Sequence, residues 1–298
     1  MKTKKHIYRS SVLIILLVIP VLHSCNSGEK TNQINERVAV VLAHPDDETI
    51  ISGSLAMLAS KGSNILVIYI TSGDDGPDET GQGLHGESLA GIREQEAKAS
   101  LCAIGIEEPP VFLGFPDGQV LDHMEEIQLS VINLFNEMEP GVVISFGPDG
   151  ITGSPDHIMT GLAADSAFDV TGSGKLMLHM AHSKSLVPIS ESGVDVDKRA
   201  IDLSVKVTHY TNERVKSFDA HHTQFPQRAR TAYKVMVHTR RFEQFIVARN
   251  RNADLLLQKC FNLKHRKETA QDLSPDYPSP PVPPQPQPQK LRFRKISL

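Results

Sequence analysis

Two short polar stretches hold the residue types from which a hydrolytic metal site is built. The first is His44-Pro45-Asp46-Asp47-Glu48. His44 and Asp47 stand three apart, close enough on a tight turn to grip one cation together. An imidazole nitrogen with a carboxylate oxygen suits zinc or a similar divalent transition metal. Asp46, between them, is then placed to take a proton from a metal-activated water. The competing structural reading is a capped helix start, with Asp46 or Asp47 as N-cap and Glu48 in the first turn. The second stretch is Pro155-Asp156-His157. His157 supplies the third protein ligand that a catalytic zinc needs, and Asp156 is placed to orient a neighbouring group by hydrogen bonding.

Both stretches follow apolar runs. Val38 to Leu42 reads as a buried parallel strand, with a helix over roughly Ile50 to Ser60 after the polar turn. Val142 to Phe146 reads as another such strand, ending in the loop Gly147 to His157, with a helix from Ile158 to Ala167. Between them lie strands at Asn64–Ile70 and Pro110–Phe115 and helices at Leu89–Ile104 and Asp122–Met138. This alternation predicts an α/β fold: a Rossmann-like, open, mostly parallel sheet with helices on both faces. Its ligands bind beyond the carboxyl ends of the strands. No Gly-x-Gly-x-x-Gly follows the first strand, which argues against a dinucleotide. The long loop from Thr71 to Ser88 carries Asp74, Asp75, Asp78 and Glu79, read by default as a solvated acidic surface. Later come a strand at Lys175–His182, edge strands within Val194–His209 and a helix at Asn212–Ala220. Thr239 to Gln258 closes the domain.

The formal charge of −4, without a basic stripe, gives no electrostatic support to nucleic-acid binding. Trp is absent, so an aromatic sugar platform is not expected. Three scattered cysteines make neither a disulfide framework nor a cysteine-rich zinc site. Residues 1–25 read as a signal: Lys2, Lys4, Lys5 and Arg9, then an apolar stretch, then Leu22-His23-Ser24-Cys25. This resembles a bacterial lipoprotein signal with lipid on Cys25, the chain's one expected link to a membrane. It would put the domain at the cell envelope; plain secretion is the alternative. Residues 26–36 read as a tether and 37–273 as the folded domain. Residues 274–298 form a Pro- and Gln-rich tail that cannot bury a core.

Ala43 to Glu48 taken with Pro155-Asp156-His157 resembles the LmbE-like, or PIG-L, family of zinc-dependent N-deacetylases. Supporting matches are Thr71-Ser72-Gly73, Arg93-Glu94-x-Glu96, Leu113 to Gly118, Gly147 to Gly150 and Ala220-His221-His222-Thr223-Gln224. The resemblance covers roughly residues 37–260. It implies His44, Asp47 and His157 as zinc ligands, Asp46 as general base, and Arg93 and Asp117 on sugar hydroxyls. It implies hydrolysis of the acetamide of an N-acetylglucosamine-type small molecule. One position departs from the family: Ser154 stands where a histidine is usual, a histidine that Asp156 would tune. A serine hydroxyl donates one hydrogen bond but carries no positive charge. His182 and His221 are the candidates to compensate, with His221 expected on the substrate side. Two rivals follow from Ser154 and from the generality of amide chemistry. One is a carbohydrate- or metal-binding module without turnover; the other is an amidase on a non-sugar acetamide.

Overall fold

Val38 to Leu42 form the body of β1 (Arg37–Leu42), whose alternate residues enter two separate cores. Val38, Val40 and Leu42 face one side and Ala39 and Val41 the other, all fully buried. A strand covered on both faces is apolar throughout, which is why this run shows no polar alternation. The computed structural model describes residues 34–181 and 201–262. The signal, the tether up to residue 33, His182, residues 194–200 and the Pro-rich tail lie outside them.

The chain continues through α1 (Ser52–Ser60), β2 (Asn64–Thr71), α2 (Gly86–Ala103), β3 (Val111–Phe115), α3 (Met124–Met138), β4 (Val142–Ser145), α4 (Pro155–Thr171) and β5 (Leu176–Ala181). After the gap come β6 (Leu203–Lys206), α5 (Thr211–Ala220), α6 (Gln227–Met236), β7 (Phe242–Asn250) and α7 (Asp254–Phe261). The sheet order is β3-β2-β1-β4-β5-β7-β6. The first five strands are parallel; β7 runs antiparallel to both β5 and β6. Leu55, Leu58 and Leu101 from α1 and α2, with Phe261 of α7, pack on one face. Ile127, Val131 and Phe135 of α3, with Ala163, Ala167 and Phe168 of α4, pack on the other.

The expected architecture is therefore present, a mixed and mostly parallel sheet. Two local differences matter. A 3-10 turn (Asp47–Ile50) precedes α1, and neither Asp46 nor Asp47 caps a helix through its side chain. The helix after β4 begins at Pro155, not Ile158, with proline in the first turn and acidic Asp156 beside it. His157 is thus held on a rigid helix. From β1 the chain winds outward to β2 and β3, then returns to β4 on the other flank of β1. That reversal opens a crevice beyond the carboxyl ends of β1 and β4, and both polar stretches sit there.

Candidate metal centre and active site

The turn after β1 points two side chains at the crevice. Asp47 Oδ2 accepts the backbone N–H groups of Ala43 (3.1 Å) and His44 (2.7 Å), which fixes its carboxylate. His44 Nδ1 lies 3.7 Å from that oxygen. His157 Nε2, from the first turn of α4, lies 3.2 Å from Asp47 Oδ1 and 3.3 Å from His44 Nδ1. These ligand atoms all lie within 4.8 Å of one another. His157 is stacked on Phe146, with ring centroids 4.2 Å apart. Its Nδ1 is 3.0 Å from both the Gly150 carbonyl and the Thr152 hydroxyl. The carbonyl accepts an Nδ1–H, leaving Nε2 free as a lone-pair donor toward the cluster. Gly150 adopts φ +59°, and a Cβ there would meet the Cβ of His157 at 2.9 Å. The close approach of loop and helix therefore requires glycine.

His44 has a second set of neighbours. Its Nε2 lies 3.0 Å from Asp117 Oδ1 and 3.3 Å from Asp156 Oδ2. Asp156 also accepts the N–H groups of Gly118 (2.7 Å) and Val120 (3.3 Å). His44, Asp117 and Asp156 form another metal-capable trio, but the two sets suit different tasks. Two imidazoles and a carboxylate are the donor set of a catalytic zinc. Carboxylates on the far nitrogen of one imidazole are what orient a metal-ligating histidine and raise its basicity. The residues therefore fit a divalent ion among His44, Asp47 and His157.

The charges agree. Burial alone disfavours a charged His44, yet its hydrogen bonds to Asp117 and Asp156 and the nearby Asp47 raise its pKa to about 10. Burial likewise opposes ionised Asp47, but His157 and His44 pull it down to about 2. For His157, Asp47 outweighs burial and raises the pKa. Carboxylates that favour a positive charge on these imidazoles would equally favour a metal cation taking the proton's place.

Asp46 sits beside this cluster on a backbone with φ +119°, a conformation that favours glycine and, among side-chain-bearing residues, Asp or Asn. Several contacts hold it there. Its N–H donates to Glu48 Oε2 (3.1 Å), and its carbonyl accepts from the N–H and hydroxyl of Thr49 (3.0 and 2.7 Å). Arg93 donates to the Pro45 carbonyl at 2.7 Å and lies 3.4 Å from Asp46 Oδ1. Burial first, then the neighbouring Asp47, raise the Asp46 pKa to about 6 against the pull of Arg93.

Several expectations for this region change. Arg93, expected at sugar hydroxyls, is buried, and it donates to the carbonyls of Pro45 and Gly73. A Cβ on Gly73 would overlap its guanidinium, so the glycine makes room for the brace. Asp117 turns one oxygen to His44, and its other lies 3.9 Å from Arg93. Asp156, expected to orient a neighbouring group, lies 3.3 Å from His44 and accepts the Gly118 and Val120 N–H groups; the family histidine it would tune is absent at Ser154. Ser154 occupies the N-cap position of α4 without capping it through its side chain. His221, expected on the substrate side, is fully buried, with Nε2 hydrogen-bonded to Glu48. Asp74 is no solvated loop acid: it accepts the Asp117 N–H at 3.0 Å.

Glu48 is the residue that sequence reasoning missed. Its carboxylate is fully buried and is bonded by Tyr69, Ser100, His221 and the Asp46 amide. Burial opposes its charge, but His221 dominates and lowers the pKa, while Glu48 raises that of His221. One signal was available. Tyr69 lies in an apolar central strand, and a buried phenol there needs a polar partner.

Residues 39–168 match the PIG-L family model, described as GlcNAc-PI de-N-acetylase. Over these residues the chain is similar to the PIG-L, or LmbE-like, family. A 1D-myo-inositol 2-acetamido-2-deoxy-alpha-D-glucopyranoside deacetylase of Mycolicibacterium vanbaalenii is 29% identical over 234 residues, 63% of this chain and 80% of that one. One of the same name in Rhodococcus erythropolis is 32% identical over 145 residues, 41% of this chain and 49% of that one. The chain spans about half the length of most of these curated relatives. Among solved structures, N,N'-diacetylchitobiose deacetylase from Pyrococcus horikoshii aligns with TM-score 0.58 at 19% identity, over 76% of this chain and 90% of that one. GalB, a 4-carboxy-2-hydroxymuconate hydratase from Pseudomonas putida, aligns with TM-score 0.56 at 14% identity, over 72% and 96%. Among these solved structures one fold thus carries both deacetylase and hydratase chemistry, and function has to be argued from the site.

Proposed function

We propose that this protein is a metal-dependent N-deacetylase that releases acetate from a small N-acetylated amino-sugar conjugate. The observation that carries the reading is the juxtaposition of the His44–Asp47–His157 donor set with Asp46, a neighbouring carboxyl outside that donor set, 3.4 Å from Arg93. The substrate class rests on the names of the relatives. Zinc is the metal we propose, on the grounds of two imidazoles with one carboxylate.

A divalent ion held by His44, Asp47 and His157 supplies a Lewis acid for an amide carbonyl and acidifies water. The remaining work belongs to the chain. Asp46, ionised at neutral pH, takes the proton of the attacking water. Arg93 and the Glu48 contact hold it in position while it does so. Asp117 and Asp156 orient His44, and Gly150 with Thr152 orient His157. Position 154 offers no imidazole, so protonated Asp46 is the acid at hand for the departing amine.

Metal content and acetate release measured together test this, in the wild type and in His157→Ala. Parallel loss of both supports the reading; turnover that persists without bound metal overturns it. Residues 1–25 we propose as a lipoprotein-type signal that anchors the domain at a bacterial envelope through Cys25. Release of a Cys25→Ala variant from membranes of the expressing cell is the check.

A further inference from the structure

Beside the metal centre lies a second recess that the deacetylase chemistry does not use. Its volume is about 230 Å³, and it is lined by Thr49, Arg214, Thr239, Arg240, Arg241 and Glu243 among others. It lies at the same end of the sheet as the metal site, because β5 finishes and β7 begins there, with Ala181 paired to Gln244. Thr49 joins the two places directly: it lines the recess, while its hydroxyl donates to the Asp46 carbonyl.

The charges around the recess are unbalanced. Three arginines face one carboxylate, a formal excess of +2. Glu243 is already satisfied by the N–H groups of Gly53 (3.0 Å) and Ser54 (2.7 Å) and by Arg214 at 3.4 Å. Arg214 is buried, and it donates to the carbonyls of Val237 and Arg240. Arg240 and Arg241 make no ion pair among the described residues. The Arg240 Nε is itself buried without a hydrogen-bond partner among them. The Nε atoms of Arg93, Arg214 and Arg230 share that state, but those guanidinium groups each lie within 4 Å of a carboxylate; Arg240 has none within that distance among the described residues, and an anion in the recess would supply the acceptor. The planar fork of an arginine matches the paired oxygens of a carboxylate or a phosphoryl group, and two forks around one space suit the several outward oxygens of a phosphoryl group.

We propose that this recess is a phosphate-type oxyanion site, read by Arg240 and Arg241. Lying next to the turn that carries Asp46, it takes an anionic group of the molecule whose amide is cut. That last clause rests on the deacetylase reading; the anion binding does not.

The test is calorimetric titration of the full chain with inorganic phosphate at low salt. A chelator is present so that the metal centre cannot take the phosphate. Arg240→Gln and Arg241→Gln, both outside the core, serve as variants, alone so that each folds. A parallel arm measures sedimentation with phosphatidylglycerol-containing vesicles against phosphatidylcholine alone. Saturable phosphate binding, weakened about tenfold in each variant, supports the site with a free phosphoryl ligand. Binding only to the anionic vesicles, lost in the variants, supports it with a lipid headgroup as the source. Binding that both variants leave unchanged, or none in either arm, overturns it. No arm reads amide hydrolysis, so failure here is separable from failure of the deacetylase reading.

Discussion

Replacing Asp46 by Asn should make the metal-free protein more stable while removing the proposed base. Burial raises the Asp46 pKa from its ordinary 3.8 to about 6. Between those values the folded state holds more protons than the unfolded one, so native stability falls as pH climbs through the window. Above about pH 6 the deficit is complete; below about pH 4 it vanishes. Two units correspond to about 3 kcal/mol at most, and loss of the 3.4 Å contact with Arg93 takes some of that back. The side chain is only 22% exposed, so solvent screens little of it. An advantage of about 1–3 kcal/mol for Asp46→Asn at pH 7.5 is therefore expected. Asn tolerates the positive φ of this position as well as Asp does, so no backbone strain is added. Urea unfolding of chelator-treated wild type and variant from pH 4 to 8 measures it. A variant no more stable than the wild type at pH 7.5, or a gap that does not shrink toward pH 4, refutes the reasoning. Stability gained by removing a functional charge is what an active-site carboxylate predicts.

Other perturbations report on the supports of the site. Glu48→Ala should destabilise by about 3–5 kcal/mol in denaturant unfolding, because it leaves His221 buried without its counter-charge. Asp156→Asn should fold but hold zinc about 10–100-fold more weakly in a competitive chelator titration, since it weakens the brace on His44. Ser154→His should raise acetate release less than tenfold in steady-state assays, because Asp156 is already committed to His44 and the 118–120 backbone and is not there to tune a new imidazole.

The sequence was most informative where one residue's own environment decided the outcome. The unbroken apolar run of β1 announced a strand buried on both faces, and His44, Asp47 and His157 converge as their strand-end positions implied. Contacts between distant residues that no shared strand-end position announced were not legible. His221 and Glu48 are 173 residues apart, and nothing local in an adjacent His-His pair marks one ring as the partner of a buried carboxylate. Asp156 reads as a helix-start acid until α4 is packed against the turn after β1. In β7, Glu243 and Arg249 interrupt the apolar pattern. Glu243 is in fact buried against the amides at the start of α1, a tertiary demand that local periodicity does not express. The positive φ of Asp46 was equally hidden, because no glycine marks it.

The central claim is tested most directly by acetate release from N-acetylated amino-sugar conjugates, with Asp46→Asn as the control and bound zinc quantified in both proteins. The account predicts release by the zinc-loaded wild type, and in Asp46→Asn an equal zinc content with release reduced by at least about a hundredfold. Equal release from the two proteins, or none from a wild type with its zinc in place, would contradict it.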